Sequence, residues 1–318
     1  MSVGTPDDQT RITEMIGLER TLYIVKEGGI YATQLADNID PQRTNPNVPN
    51  VQQKVLSIGS SSILVGKTLL TAKELFNPTF LPQKFDKDAG LNFALAALKD
   101  LAAMNEIAER LEQAQANAEV QDYRTRDRSV LLPSAGNVAS ELKTFAQKAD
   151  HVLQSLLGII KLFYGAEIGK RWFESVAEMA VQQYGANDEF TKLLQEALPV
   201  LKFIRNMRNC VEHKKPGQDA IATDFTLSPT LELVPPTVEI IHPETSQPRM
   251  QASAFMRDVT DQLADIFEIM LAFLCGKNAQ PFAGFTIGVI VLPPEQRRTP
   301  QVRYSYGTNI GGQISPIG

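Results

Sequence analysis

Arg208-Asn209-Cys210-Val211-Glu212-His213 closes a run with helical periodicity, and the reading of the whole chain turns on it. These six residues hold a permanent cation, an amide and an imidazole. Lys202, Arg205, Lys214 and Lys215 surround them, with Glu212 as the only opposing charge. A guanidinium binds phosphate through two parallel hydrogen bonds, and an imidazole titrating near neutrality can move a proton. Upstream, Leu193, Ala197, Val200, Ile204, Met207 and Val211 alternate spacings of four and three, which predicts an amphipathic helix over 188–213. Pro199 is expected to bend that helix or start its second half. Lys214-Lys215-Pro216-Gly217 ends it, with cations at its negative end.

On such a helix Arg205, Asn209 and His213 are spaced by four and form one polar ladder. Arg208 stands five before His213, about 140° around the axis, so one helix does not bring the two together simply.

Working outward, Ile12, Ile16, Leu18 and Leu22 recur near helical spacing, with Gly28-Gly29 as an interruption. Pro41, Pro46 and Pro49 mark a loop over 37–50. A helix is expected over 51–76, stopping before Asn77-Pro78, and a longer one, rich in Ala, Leu, Glu and Gln, over 90–120. The charged stretch 123–128, then Pro133 and Gly136, reads as a surface connection and a domain boundary. Beyond it helices are expected over 137–163 and 167–184, short strands over 225–234 and 237–241, and a helix over 252–275. Strands at 285–292 and 302–306 and a loose tail from Gly307 complete the reading.

The R-N-x-x-x-H pattern at Arg208, Asn209 and His213, on a helix preceded and followed by others, resembles the HEPN superfamily. The resemblance covers about 134–278. It implies a mainly α fold: a HEPN-like helical bundle with a small β insertion over 134–278, an N-terminal helical region over 1–130, and a C-terminal β-hairpin with a flexible tail over 281–318. It further implies a metal-independent endoribonuclease without a cofactor, acting on RNA as a homodimer whose paired motifs form one site. His213 would be the general acid or base, Arg208 would stabilise charge on the phosphoryl oxygens, and Asn209 would orient the imidazole or the phosphate. Arg205 and Lys214 would be secondary phosphate contacts. Toxin–antitoxin or antiviral defence is the implied setting, with a cognate antitoxin or another protein as a further partner. The alternative is a non-catalytic HEPN-like protein that binds nucleotide or a partner chain.

Other signals point to less. Gly66-Lys67-Thr68 lacks the glycine a phosphate-binding loop needs at position 61, where Ser61 stands. Gly59-Ser60 with Asp86 and Asp88 is too widely spaced for a nucleotidyltransferase. His151 and His242 lack metal-ligand spacing, and Trp172 and Phe173 read as core. The net charge of −5 and pI near 5.4 argue against a general nucleic-acid coat but allow a confined basic patch. Cys210 and Cys275 are too few for a disulfide framework, which suggests a reducing compartment. The polar start of the chain and the absence of an 18–20-residue apolar run suggest a cytoplasmic protein with no membrane partner.

Overall fold

The computed structural model describes all residues except 1, 2, 6, 7, 123–128, 166, 167, 169–171, 214, 311, 312 and 318. In chain order the elements are β1 (Ile12–Leu18), β2 (Thr21–Lys26), β3 (Ile30–Gln34), α1 (Ala36–Ile39) and β4 (Val51–Leu56). Next come α2 (Ile63–Val65), a π-helical turn (Gly66–Leu70), α3 (Thr71–Leu75), α4 (Lys87–Ala116), β5 (Gln121–Asp122) and β6 (Val130–Leu131). The long central helices are α5 (Val138–Tyr164), α6 (Phe173–Tyr184) and α7 (Glu189–Glu212). Then follow β7 (Asp219–Thr223), β8 (Thr226–Leu227), β9 (Leu233–Val234), β10 (Thr237–Ile241), β11 (Gln247–Gln251) and α8 (Ala252–Lys277). The last strands are β12 (Ile287–Val291), β13 (Tyr304–Ile310) and β14 (Gln313–Pro316).

The expected mainly α, HEPN-like bundle is therefore corrected. The chain is 48% helix and 21% strand, with the strands in separate antiparallel sheets. Within the N-terminal region expected to be helical, residues 12–56 carry a four-stranded antiparallel sheet in the order β1-β2-β3-β4, which also replaces the start of the helix expected over 51–76. The physical reason lies in the turns. A spacing of four is also two strand repeats, so Ile12 and Ile16 fit either period. Glu19-Arg20 decides between them: with Glu19 at φ 52° and Leu18 paired to Thr21, it is a two-residue hairpin turn. Gly28-Gly29 is the next tight turn, closed by Lys26 N–H donating to the Gly29 carbonyl at 2.8 Å.

Two compact units divide the chain. One comprises Met1–Ala102, Ser155–Glu167 and Ala264–Gly318; the other comprises Ala103–Gln154 and Ile168–Leu263. In the first, Ile24, Tyr31 and Val3 form a small core with Ile12 and Leu22 packed on it. Beside it Lys26 is buried, donating to the carbonyls of Val3 (3.0 Å) and Asp8 (2.9 Å) and pairing with the Asp8 carboxylate at 2.9 Å. Hydrogen bonds from Thr10, then Tyr31 and Lys26, hold that carboxyl well below the usual carboxylate range. Phe85 stacks on Phe163 with ring centres 4.5 Å apart, joining the segment before α4 to the end of α5. The β12-β13-β14 sheet is tied to α3 by Tyr306 Oη donating to the Leu75 carbonyl at 2.7 Å. The segment from Gly307, expected to be loose, continues β13 and pairs with β14.

Gly59 and Gly66, read in the sequence against nucleotide-binding motifs, serve packing instead. A Cβ on Gly59 would lie 2.0 Å from the Lys26 carbonyl oxygen and 2.5 Å from Gly29 N. That close approach lets Ser60 N–H reach the Lys26 carbonyl at 2.9 Å and Ser61 Oγ reach that of Glu27 at 2.6 Å. Gly66 meets Gln301 in the same way, at 2.2 Å from its Cβ. Lys67 pairs with Asp265 at 2.6 Å, and Thr68 Oγ1 donates to the Leu64 carbonyl at 2.6 Å.

In the second unit β7, β10 and β11 form an antiparallel sheet in the order β11-β10-β7. The Asp188 side chain caps α7 by accepting from Phe190 N at 3.0 Å. The helix buries Phe190, Leu194, Ala197, Leu201, Ile204, Met207 and Cys210, and it continues through Pro199. Leu193, Val200 and Val211, expected in the buried stripe, are half-buried, with Leu194, Leu201 and Cys210 buried in their place.

Gly59→Ala should lower unfolding free energy by about 1–3 kcal/mol or more, the typical range for overpacking. Gly17→Ala, with nothing within 4 Å of the added carbon, should stay within about 0.5 kcal/mol of the parent. Urea unfolding of the three proteins checks both.

Candidate functional site

The candidate site lies at the C-terminal end of α7. Five of the residues involved lie within or beside the last turns of that helix, and a sixth comes from α5. Residue 213 is where the backbone leaves the helix: His213 is the C-cap at φ −132°, ψ 77°, with its N–H still donating to the Asn209 carbonyl at 2.8 Å. That departure takes the imidazole off the regular progression of 100° per residue.

Glu212 Oε2 lies 2.6 Å from Arg208 Nη2 and 3.9 Å from His213 Nε2. The two residues that ideal helical geometry holds apart thus meet at one carboxylate. Gln147 of α5 donates from Nε2 to Glu212 Oε1 at 2.8 Å, fixing the second oxygen. Arg208 Nη1 also donates to Asn209 Oδ1 at 3.4 Å.

A carboxylate on the last residue of a helix sits at the negative end of the macrodipole, which disfavours its charge. The surroundings overcome this. The Gln147 hydrogen bond first, then the charges of Arg208, His213 and Lys143, hold the Glu212 carboxyl below its ordinary range against the opposing effect of burial. The Glu212 side chain is 16% exposed, that of Arg208 35% and that of His213 62%. The imidazole is thus open to solvent while the carboxylate behind it is shielded.

Arg205, expected as a phosphate contact, sits over the Trp172 ring with its guanidinium carbon 4.9 Å from the ring centre. Trp172 is the N-cap of α6, at φ 61°, and meets buried Phe173 edge-on at 4.7 Å. Lys214 lies outside the described residues, as does the charged stretch 123–128. His242 serves the β10 end: its Nδ1 accepts from Glu244 N (3.2 Å) and Thr245 N (3.3 Å). Burial raises the Cys210 thiol, and its Sγ lies 3.5 Å from the Ile241 carbonyl oxygen. Among the described residues no group of three or more His, Cys, Asp and Glu is placed to hold a metal ion.

Two participants were not singled out from sequence. The i, i+4 spacing of Arg208 and Glu212 was the available signal for the carboxylate. Gln147 stands 65 residues away from Glu212, and no local pattern points to it. Chemically, the cluster offers a guanidinium with further N–H donors, an exposed imidazole, and a shielded carboxylate that pairs with the guanidinium. No helix among the described residues is long and apolar enough to cross a membrane. Comparison with protein-family models, curated proteins and solved structures finds no match to this chain.

The Glu212 carboxyl, depressed in the folded state, contributes stability that is present above its ordinary value near 4.5. That contribution is lost as pH falls through the lower folded value. The parent should therefore be more stable than Glu212→Gln near neutrality, and the gap should narrow progressively as pH drops below about 4.5. Thermal unfolding of both proteins between pH 7 and pH 3 reads this directly.

Proposed function

We propose that the protein is a metal-independent endoribonuclease of the kind its R-N-x-x-x-H motif resembles. The observation that carries the reading is the shared carboxylate: Glu212 brings Arg208 to 2.6 Å and the exposed His213 imidazole to 3.9 Å. A phosphate-binding cation and a proton-transfer group are then neighbours despite their positions on the helix. The proposal rests on that chemistry and does not extend to a HEPN bundle.

In this reading the RNA 2′-OH attacks the adjacent phosphorus and the 5′-oxygen leaves. The products are a 2′,3′-cyclic phosphate and a 5′-OH. His213 transfers a proton to or from the reacting oxygens. Arg208 donates to the phosphoryl oxygens as charge builds on them, and Asn209 steadies Arg208. Glu212, 3.9 Å from the imidazole, anchors Arg208 beside it. Arg205 would serve a flanking phosphate only on leaving the Trp172 ring, and the resemblance gives Lys214 the same secondary role. A homodimer supplies a second copy of the cluster, so that one phosphate can be held from both sides. A cytoplasmic setting, with an antitoxin or another protein partner, completes the reading.

A second reading is favoured by one feature. The Glu212 carboxylate neutralises Arg208 in the isolated chain, which suits a site that binds nucleotide or a protein partner without chemistry.

Purified protein should cleave RNA in EDTA and leave 2′,3′-cyclic phosphate ends. A substrate with deoxyribose at the cleaved position should resist. His213→Ala and Arg208→Ala should each remain folded, and the His213 variant should lose about 10²–10⁴ in rate. Light scattering at micromolar concentration should give a dimer. RNA left intact by the parent favours the binding reading; a fully active His213→Ala protein overturns the site.

A further inference from the structure

A cleft of ≈ 510 Å³ opens in the unit that holds the N-terminal sheet, away from the residues of the α7 cluster in sequence. Its volume falls in the range of small-molecule sites, about 300–1,000 Å³. We propose that it binds a small organic anion, with a carboxylate or phosphomonoester head on an apolar body.

Charge decides the sign of the ligand. Five ionisable side chains with full charges line the cleft: Glu14, Glu74, Lys73, Lys87 and Arg298. Lys73 pairs with Glu14 at 2.7 Å, so those two cancel. Glu74 Oε1 accepts from Ser305 Oγ at 2.6 Å, which satisfies part of its hydrogen-bonding capacity within the protein. Lys87 and Arg298 are exposed and have no ion pair among the described residues. Asp86, beside Lys87 in sequence, instead caps α4 by accepting from Ala89 N at 3.0 Å. The cleft therefore carries one more cation than anion, and its two unpaired cations, Lys87 and Arg298, face solvent. A concave wall concentrates such a field. Arg298 presents the planar fork that matches carboxylate and phosphate oxygens.

The remaining wall decides the body. Leu70, Phe80 and Leu292 are buried residues that reach the cleft, joined by half-buried Val302 and Ile317. The Tyr306 hydroxyl is committed to the Leu75 carbonyl at 2.7 Å, so the ring contributes hydrocarbon more than polarity. A bare inorganic ion would leave this apolar surface wet; an attached ring or chain would cover it.

Isothermal titration of the Arg208→Ala variant of this 318-residue chain, which removes the guanidinium on α7, tests the proposal. The probes are phenyl phosphate, phenylacetate, inorganic phosphate and benzyl alcohol. At least one of the two organic anions should saturate one site per chain, and more tightly than inorganic phosphate or benzyl alcohol do. The tighter of the two identifies the head group. Added Lys87→Gln or Arg298→Gln, both surface changes whose folding is checked by melting temperature, should each weaken it about tenfold, the loss of one charged hydrogen bond. The proposal is overturned if neither organic anion saturates, if both charge variants bind as the parent does, or if inorganic phosphate binds as tightly as the organic anions.

Discussion

The point at which α7 stops governs what residues 205–213 can do. Had the helix run on, Arg208 and His213 would project about 140° apart. His213 instead leaves helical geometry, and its imidazole lies 3.9 Å from the same carboxylate oxygen that Arg208 holds at 2.6 Å. Glu212 is retained as a charge at the unfavourable end of a helix because Gln147, Arg208, His213 and Lys143 all favour its ionised form. Termination and electrostatics meet at one carboxylate, which pairs with the guanidinium and lies 3.9 Å from the imidazole.

The scaffold makes that device stable in two ways. Asp188 fixes the start of α7, and the buried stripe from Phe190 to Cys210 fixes its rotation, so Arg208 and Glu212 emerge at the border of the buried face. Partner exposure then sets their roles. Gln147 reaches Glu212 from α5, and the carboxylate is more shielded than either group it serves. Arg205, one turn earlier, is drawn instead to the Trp172 ring, whose positive φ at the head of α6 is an uncommon conformation for a side chain of that size.

Much of the helical part was legible. The expected helices over 137–163, 188–213 and 252–275 match α5, α7 and α8 to within a residue or two, because long segments carry several turns of apolar repeat. The N-terminal strands were not legible from spacing. Ile12 and Ile16 suit either period, and the deciding turn, Glu19-Arg20, contains neither Gly nor Asn to announce a positive φ. Gly28-Gly29 did announce a turn and was read as a helix interruption. Read with a helical period, residues 12–56 imply a mainly α fold; paired through these turns, they are a four-stranded sheet. At the site, the motif residues were visible, whereas the carboxylate linking them was seen only as an opposing charge. Its role depends on the backbone angles at residue 213 and on a glutamine from α5, and neither is a sequence-local property.

If Glu212 acts through His213, the two side chains form one functional unit. The most direct measurement is a double-mutant cycle on RNA cleavage with Glu212→Gln, His213→Ala and the combined variant at pH 7. Glu212→Gln should slow the parent but leave the His213→Ala protein no slower than it already is. Independent, multiplicative losses, or a parent protein that cleaves no RNA, would contradict the account.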